Sequence, residues 1–197
     1  MSFINYAAKE INCKVIYYGP GLSGKTTNVQ YIYEQTQGDN KGKLVSLSTE
    51  NERTLFFDFL PLSIGDVDGY KTRFHLYTIP GQTFYEVSRQ FILKGVDGVV
   101  FVADSQSDRA DANIESFESL ERALDKQGYD ILKMPLVFQY NKRDTGSKLS
   151  VTELEASLNP MQRPYFEAVA SKGEGVMETL QEISQWIIRD LKGGEAP

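Results

Sequence analysis

Eight residues, Gly19-Pro-Gly-Leu-Ser-Gly-Lys-Thr26, follow the pattern G-x-x-x-x-G-K-[ST]. The pattern is chemically specific. Glycines at 19, 21 and 24 allow the backbone to curl until successive N–H groups point inward, and a helix starting at Lys25 adds the positive end of its dipole. Such a loop cradles phosphate. Lys25 could reach the β- and γ-phosphates of a nucleotide, and the Thr26 hydroxyl could take a coordination position on Mg²⁺. Gly19, Gly21, Leu22, Ser23, Gly24 and Thr27 complete the predicted contact set. The loop alone leaves kinase, ATPase and GTPase chemistry open.

A second constellation, Asn141-Lys-Arg-Asp144, narrows the choice. It follows an apolar run and so falls at the carboxyl end of a buried strand, where ligands of α/β folds sit. A carboxylate at Asp144 can accept two hydrogen bonds from the N1–H and N2–H₂ edge of guanine. Adenine offers no such paired donors and would leave the carboxylate unpaired. Asn141 can tie this loop to the phosphate loop, and the Lys142 stem can cover one face of the base. As a bare tetrapeptide the pattern is also that of a charged turn; downstream of a phosphate loop it points to guanine.

These loops need a sheet to converge on. Apolar runs alternate with helical periodicity, which predicts an α/β fold with a mainly parallel sheet and helices on both faces. Strands are expected over about 11–18, 43–47, 55–62, 74–79, 98–103, 135–141 and 166–170, with a turn at 65–69. Helices are expected over about 25–36, 84–93, 111–127, 152–158 and 176–191. In the last of these Val176, Leu180, Ile183, Ile187 and Leu191 form one apolar face, and Trp186 beside it reads as packing. The lone His75, alternating with Phe74 and Leu76, reads as structural. No linker or repeat divides the chain, so residues 1–197 are expected to form one domain, with a core of about 11–191 and a polar tail at 192–197.

With both motifs in place the chain resembles a Ras-like small GTPase, and within that family its bacterial MglA-like branch, the GTPases of cell polarity and gliding motility. The closer match is carried by residues 17–27, Glu52-Arg-Thr-Leu-Phe-Phe-Asp-Phe-Leu-Pro61, Thr72-Arg-Phe-His-Leu-Tyr-Thr-Ile-Pro-Gly-Gln82, residues 96–105 and 140–144. The resemblance implies a P-loop switch that hydrolyses GTP slowly to GDP and phosphate and engages polarity effectors in its GTP state. It implies that Thr54 ligates Mg²⁺ and senses the γ-phosphate, that Gly81 offers its N–H to that phosphate, and that Gln82 orients the attacking water. Ala170 would present its N–H to guanine O6. Arg53 would act as an arginine finger from within the chain; its other reading is a surface salt bridge with Glu50 or Glu52. A Roadblock-type, MglB-like homodimer is the implied activator. Thr78 departs from the general small-GTPase pattern, which has an aspartate there, and agrees with the MglA-like one. Two other function classes stay open on residues alone: a small-molecule kinase or ATPase, and a module that holds GTP without turnover.

Composition excludes more than it identifies. A net charge of −6 argues against a nucleic-acid or anionic-membrane partner. Cys13 is the single cysteine, so no intramolecular disulfide forms, and a reducing, cytoplasmic setting is expected, with recruitment to a cell pole implied by the resemblance alone. No signal peptide, membrane span or prenylation cysteine is read at the ends.

Overall fold

Each apolar run becomes a strand whose side chains alternate between two helical layers. The computed structural model describes residues 3–36, 42–48, 54–67, 69–79 and 91–193. In chain order these hold β1 (Phe3–Asn5), β2 (Glu10–Tyr18), α1 (Lys25–Gln35), β3 (Val45–Ser48), β4 (Thr54–Val67), β5 (Tyr70–Thr78), β6 (Gly98–Asp104), α2 (Ala110–Asp125), β7 (Leu136–Asn141), α3 (Val151–Leu158), β8 (Tyr165–Glu167) and α4 (Val176–Leu191). Five strands run parallel in the order β5-β2-β6-β7-β8, and β4 and then β3 extend the β5 edge antiparallel.

The alternation is visible residue by residue. Val15, Tyr17, Val100, Val102 and Val137 share one apolar cluster with Val29 and Ile32 of α1 and with Val176, Leu180, Ile183, Trp186 and Ile187 of α4. Their neighbours Ile16, Tyr18, Val99, Phe101, Ala103, Leu136, Phe138 and Tyr140 join Phe117, Leu120 and Leu124 of α2 and Leu154 and Leu158 of α3 on the other face. The expected mainly parallel sheet between two helical layers is therefore the one observed. Cys13 is fully buried within its strand. Trp186 is buried too, with the Arg163 guanidinium 5.1 Å over its ring.

Three differences have local causes. β1 pairs antiparallel with residues 10–12 of β2, on the side that β6 reaches only from Val15 onward, and so covers an otherwise open edge. The turn expected at 65–69 is shorter: β4 continues through Gly65 to Val67, because a register shift between Ser63 and Asp66 lets the antiparallel ladder with β5 resume. β8 ends at Glu167 instead of 170, since the Ala170 N–H is taken by a side chain of the adjacent loop. Leu191, expected on the apolar face of α4, is 37% exposed at the end of the helix. The expected helix over 84–93 is described only at 91–93, which are helical.

His75 is structural in its contacts: its Nε2 pairs with the Asn12 side chain at 2.8 Å. Burial pushes its pKa below the ordinary histidine value, nearby Arg73 pushes the same way, and Glu10 opposes. The unfolded chain therefore takes up the proton first, and stability falls as pH drops below about 6.5. His75→Gln should flatten the stability slope between about pH 7 and 5.5 in urea titrations read by the single tryptophan; an unchanged slope would refute this. Ile183→Ala empties a fully buried site between α4 and the sheet. It should lower unfolding free energy by about 2–5 kcal/mol in the same assay.

Candidate functional site

β2, β6, β7 and β8 are parallel, so the loops leaving their carboxyl ends meet along one rim of the sheet. The loop after β2 bends sharply. Gly19 (φ 144°) and Gly24 (φ 99°) occupy conformations that side chains rarely adopt, and Leu22 is left-handed at φ 66°. A Cβ at Gly19 would lie 2.2 Å from the Val102 carbonyl, and one at Gly24 equally close to Asn141 Nδ2. Both close approaches are what the glycines permit. α1 then begins at Lys25 with no side-chain cap and no acidic residue in its first turn, so the positive end of its dipole is not neutralised by its own side chains.

The carbonyls of this loop are held one by one. Lys25, itself buried, donates from Nζ to Gly19 O (3.0 Å) and Pro20 O (2.6 Å). Arg109 Nη2 donates to Gly21 O at 2.9 Å. Asn141 Nδ2 donates to Ser23 O at 2.7 Å. Gly24 O accepts from the backbone and side chain of Asn28. Asn28 is fixed in turn by Gln139 of β7, which also reaches Thr179 of α4, so a buried polar chain ties α1, β7 and α4 beneath the loop. The Ser23 hydroxyl is fully buried and has no partner among the described residues.

Asn141 is the hinge of the arrangement. While Nδ2 holds Ser23, its Oδ1 accepts the Ala170 N–H at 2.9 Å, so three of the sequence-predicted segments meet on one side chain. Lys142 adopts a left-handed conformation (φ 65°), and its ammonium pairs with Asp104 Oδ2 at 2.7 Å. Arg143 turns away, binding Glu167 and the Leu149 carbonyl. Asp144 is left exposed at the rim, with Lys172 Nζ 3.4 Å from its carboxylate. Thr26 and Thr27 are half-buried in the first turn of α1. Thr78, fully buried, closes β5 opposite Tyr17.

Arg53, Gly81 and Gln82 lie outside the described residues, as do Glu50 and Glu52. Thr54 opens β4, but nothing is described of its side chain or those of Phe56, Phe57, Asp58 and Phe59. Neither Asp104 nor Arg109 belongs to the candidate site residues named from the sequence. Asp104 is the one fully buried carboxylate among the described residues, and it also accepts from Gln106 N and Nε2. Its backbone is clamped at both N–H and C=O by Asn113. A signal for Asp104 was present in its place as the one charge closing the apolar run 98–104.

Among the described residues no His, Cys, Asp or Glu cluster is arranged to hold a metal, and no helix is long and apolar enough to cross a membrane. Residues 14–155 match the model of the Gtr1/RagA G protein conserved region. The chain is also 60% identical over 194 residues to the mutual gliding-motility protein MglA of Myxococcus xanthus (strain DK1622), covering 98% of this chain and all of that protein. A sheet of this topology, matched over most of its length by a G protein model and nearly end to end by MglA, places the chain in the Gtr1/RagA G protein family as a small GTPase of the MglA type.

Proposed function

We propose that this GTPase is a molecular switch: it binds GTP at the 19–27 loop, hydrolyses it slowly to GDP and phosphate, and engages effectors in the GTP state to control cell polarity and motility. The motility assignment rests on the name of its relative, a gliding-motility protein. The observation that carries the nucleotide reading is the double contact of Asn141, which draws the phosphate loop and the Ala170 segment to the strand end that also bears Asp144. On this reading Gly19, Gly21, Leu22, Ser23, Gly24, Lys25, Thr26 and Thr27 surround the phosphates, Lys142 flanks the base, and Asp144 and Ala170 recognise guanine.

Mg²⁺ fits the donors offered. Thr26 supplies a neutral hard oxygen, and Thr78 provides no carboxylate where a small GTPase commonly has one. Such a set suits a cation that takes much of its charge compensation from phosphate oxygens. Thr26 and Thr54 would hold it, and when bound it neutralises charge on the β- and γ-phosphates.

Arg53 and Gln82 are the proposed catalytic pair, with Gly81 on the γ-phosphate. Gln82 orients water, and Arg53 neutralises charge developing in the transition state. A Roadblock-type, MglB-like homodimer would then act by holding both residues in place rather than by inserting an arginine.

Single-turnover hydrolysis of bound GTP, with and without that partner, tests the scheme. Arg53→Ala and Gln82→Ala should each lose the partner's stimulation, by about a thousandfold for the arginine. An Arg53→Ala variant that responds like wild type would remove the intrinsic finger, and a wild type that binds GTP without ever hydrolysing it would make the protein a binding module. Gly21→Val should bind GDP and GTP normally and suppress turnover, because a side chain at that position crowds the γ-phosphate, Gln82 and the arginine; normal turnover would refute that geometry.

A further inference from the structure

Arg109 stands in the 3₁₀ turn Ser107–Arg109 after β6, 88 positions along the chain from the carbonyl it binds. Its guanidinium makes two contacts at different atoms. Nη2 donates to Gly21 O at 2.9 Å, and Nε faces Asp104 Oδ2 at 3.9 Å. That same carboxylate oxygen accepts the Lys142 ammonium at 2.7 Å. One buried oxygen thus orients a cation on the phosphate loop and a cation on the guanine loop. Asp104 cannot drift, since Asn113 clamps its backbone and Gln106 donates to its side chain.

The consequence follows from peptide geometry. In a trans peptide the C=O and the following N–H point in opposite directions, so holding Gly21 O outward fixes the Leu22 N–H on the opposite side. Ser23 O, held by Asn141, fixes the Gly24 N–H in the same way. A cationic donor on a carbonyl also polarises the peptide and makes its N–H a stronger donor. Only one side chain performs this service for the Gly21–Leu22 peptide among the described contacts.

We propose that Arg109 is a positioning residue for the nucleotide: by holding the Gly21 carbonyl it presents the Leu22 N–H to the phosphates beyond the α-phosphate, and through Asp104 it links that contact to Lys142. The inference rests on the nucleotide lying at the 19–27 loop. Arg109 is a third exposed and sits at the rim, so its role is in presentation of the loop rather than in the core.

The test is competition binding of GDP and GMP against a fluorescent guanine nucleotide, on the full chain as wild type and as Arg109→Ala. The ratio of the two affinities is the readout, because a variant that is merely less well folded loses both ligands alike. Arg109→Ala should bind GDP about tenfold more weakly while GMP changes by less than about twofold. The β-phosphate ³¹P resonance of bound GDP should move in the same variant. Equal losses for GDP and GMP, or no loss for either, would overturn the assignment. A wild type that binds GDP no better than GMP would instead overturn the placement of the phosphates at the 19–27 loop, an outcome distinct from failure of Arg109.

Discussion

The site depends on one constraint: the carbonyls of residues 19, 20, 21, 23 and 24 are each held by a donor from a side chain or from α1. Left alone, a six-residue turn would satisfy those oxygens with its own N–H groups and collapse. Here the oxygens are taken by Lys25, Arg109, Asn141 and Asn28, drawn from α1, from the turn after β6 and from the end of β7. With these acceptors occupied by side chains or by α1, the one backbone hydrogen bond described within the turn is a long one, from Ser23 N–H to Pro20 O at 3.4 Å, and the turn stays open. The open shape of the turn is thus a by-product of hydrogen-bond accounting across the sheet.

That accounting explains why the parallel order matters. Only strands running the same way deliver their carboxyl ends to one rim, and only neighbours in the order β2-β6-β7-β8 bring Gly21, Asp104, Asn141 and Ala170 within side-chain reach. The apolar layers do the aligning. The aromatic contact of Phe101 with Phe117 (5.2 Å between centroids) and with Phe138 (5.7 Å) locks β6, α2 and β7 together under the rim. The antiparallel strands β3 and β4 stand outside this group, at the edge beyond β5.

Much of this could be read from the residues. Unbroken apolar runs such as 98–103 have one stable placement, between two layers, and the periodicity of α4 is strong enough that its limits, Val176–Leu191, coincide with the expected ones. The segments 19–26 and 141–144 stand out in the sequence because glycine and proline restrict the backbone locally and because Asn141 follows a strand. What stayed hidden is non-local or short. β1 spans three residues, too few to show a period. The extension of β4 through Gly65 depends on a ladder with β5 that no local pattern announces. Arg109 carries no signature of its own, since its partner lies 88 residues away and is a backbone atom that any sequence would provide.

Asp104 presents the opposite problem, a residue whose position is costly until its partners are counted. Burying a carboxylate disfavours folding by several kcal/mol, and paired cations do not always recover that loss. Replacing the group by an apolar side chain would remove the desolvation cost and leave the core intact on the α2 face. It would also leave the Lys142 ammonium and the Arg109 guanidinium without their shared carboxylate at the same moment. A buried charge that contributes little net stability is then explained by geometry: it is the shared reference point for two loops held against each other at the rim. The low-dielectric surroundings that make Asp104 expensive also make its hold on both cations directional and weakly screened by salt.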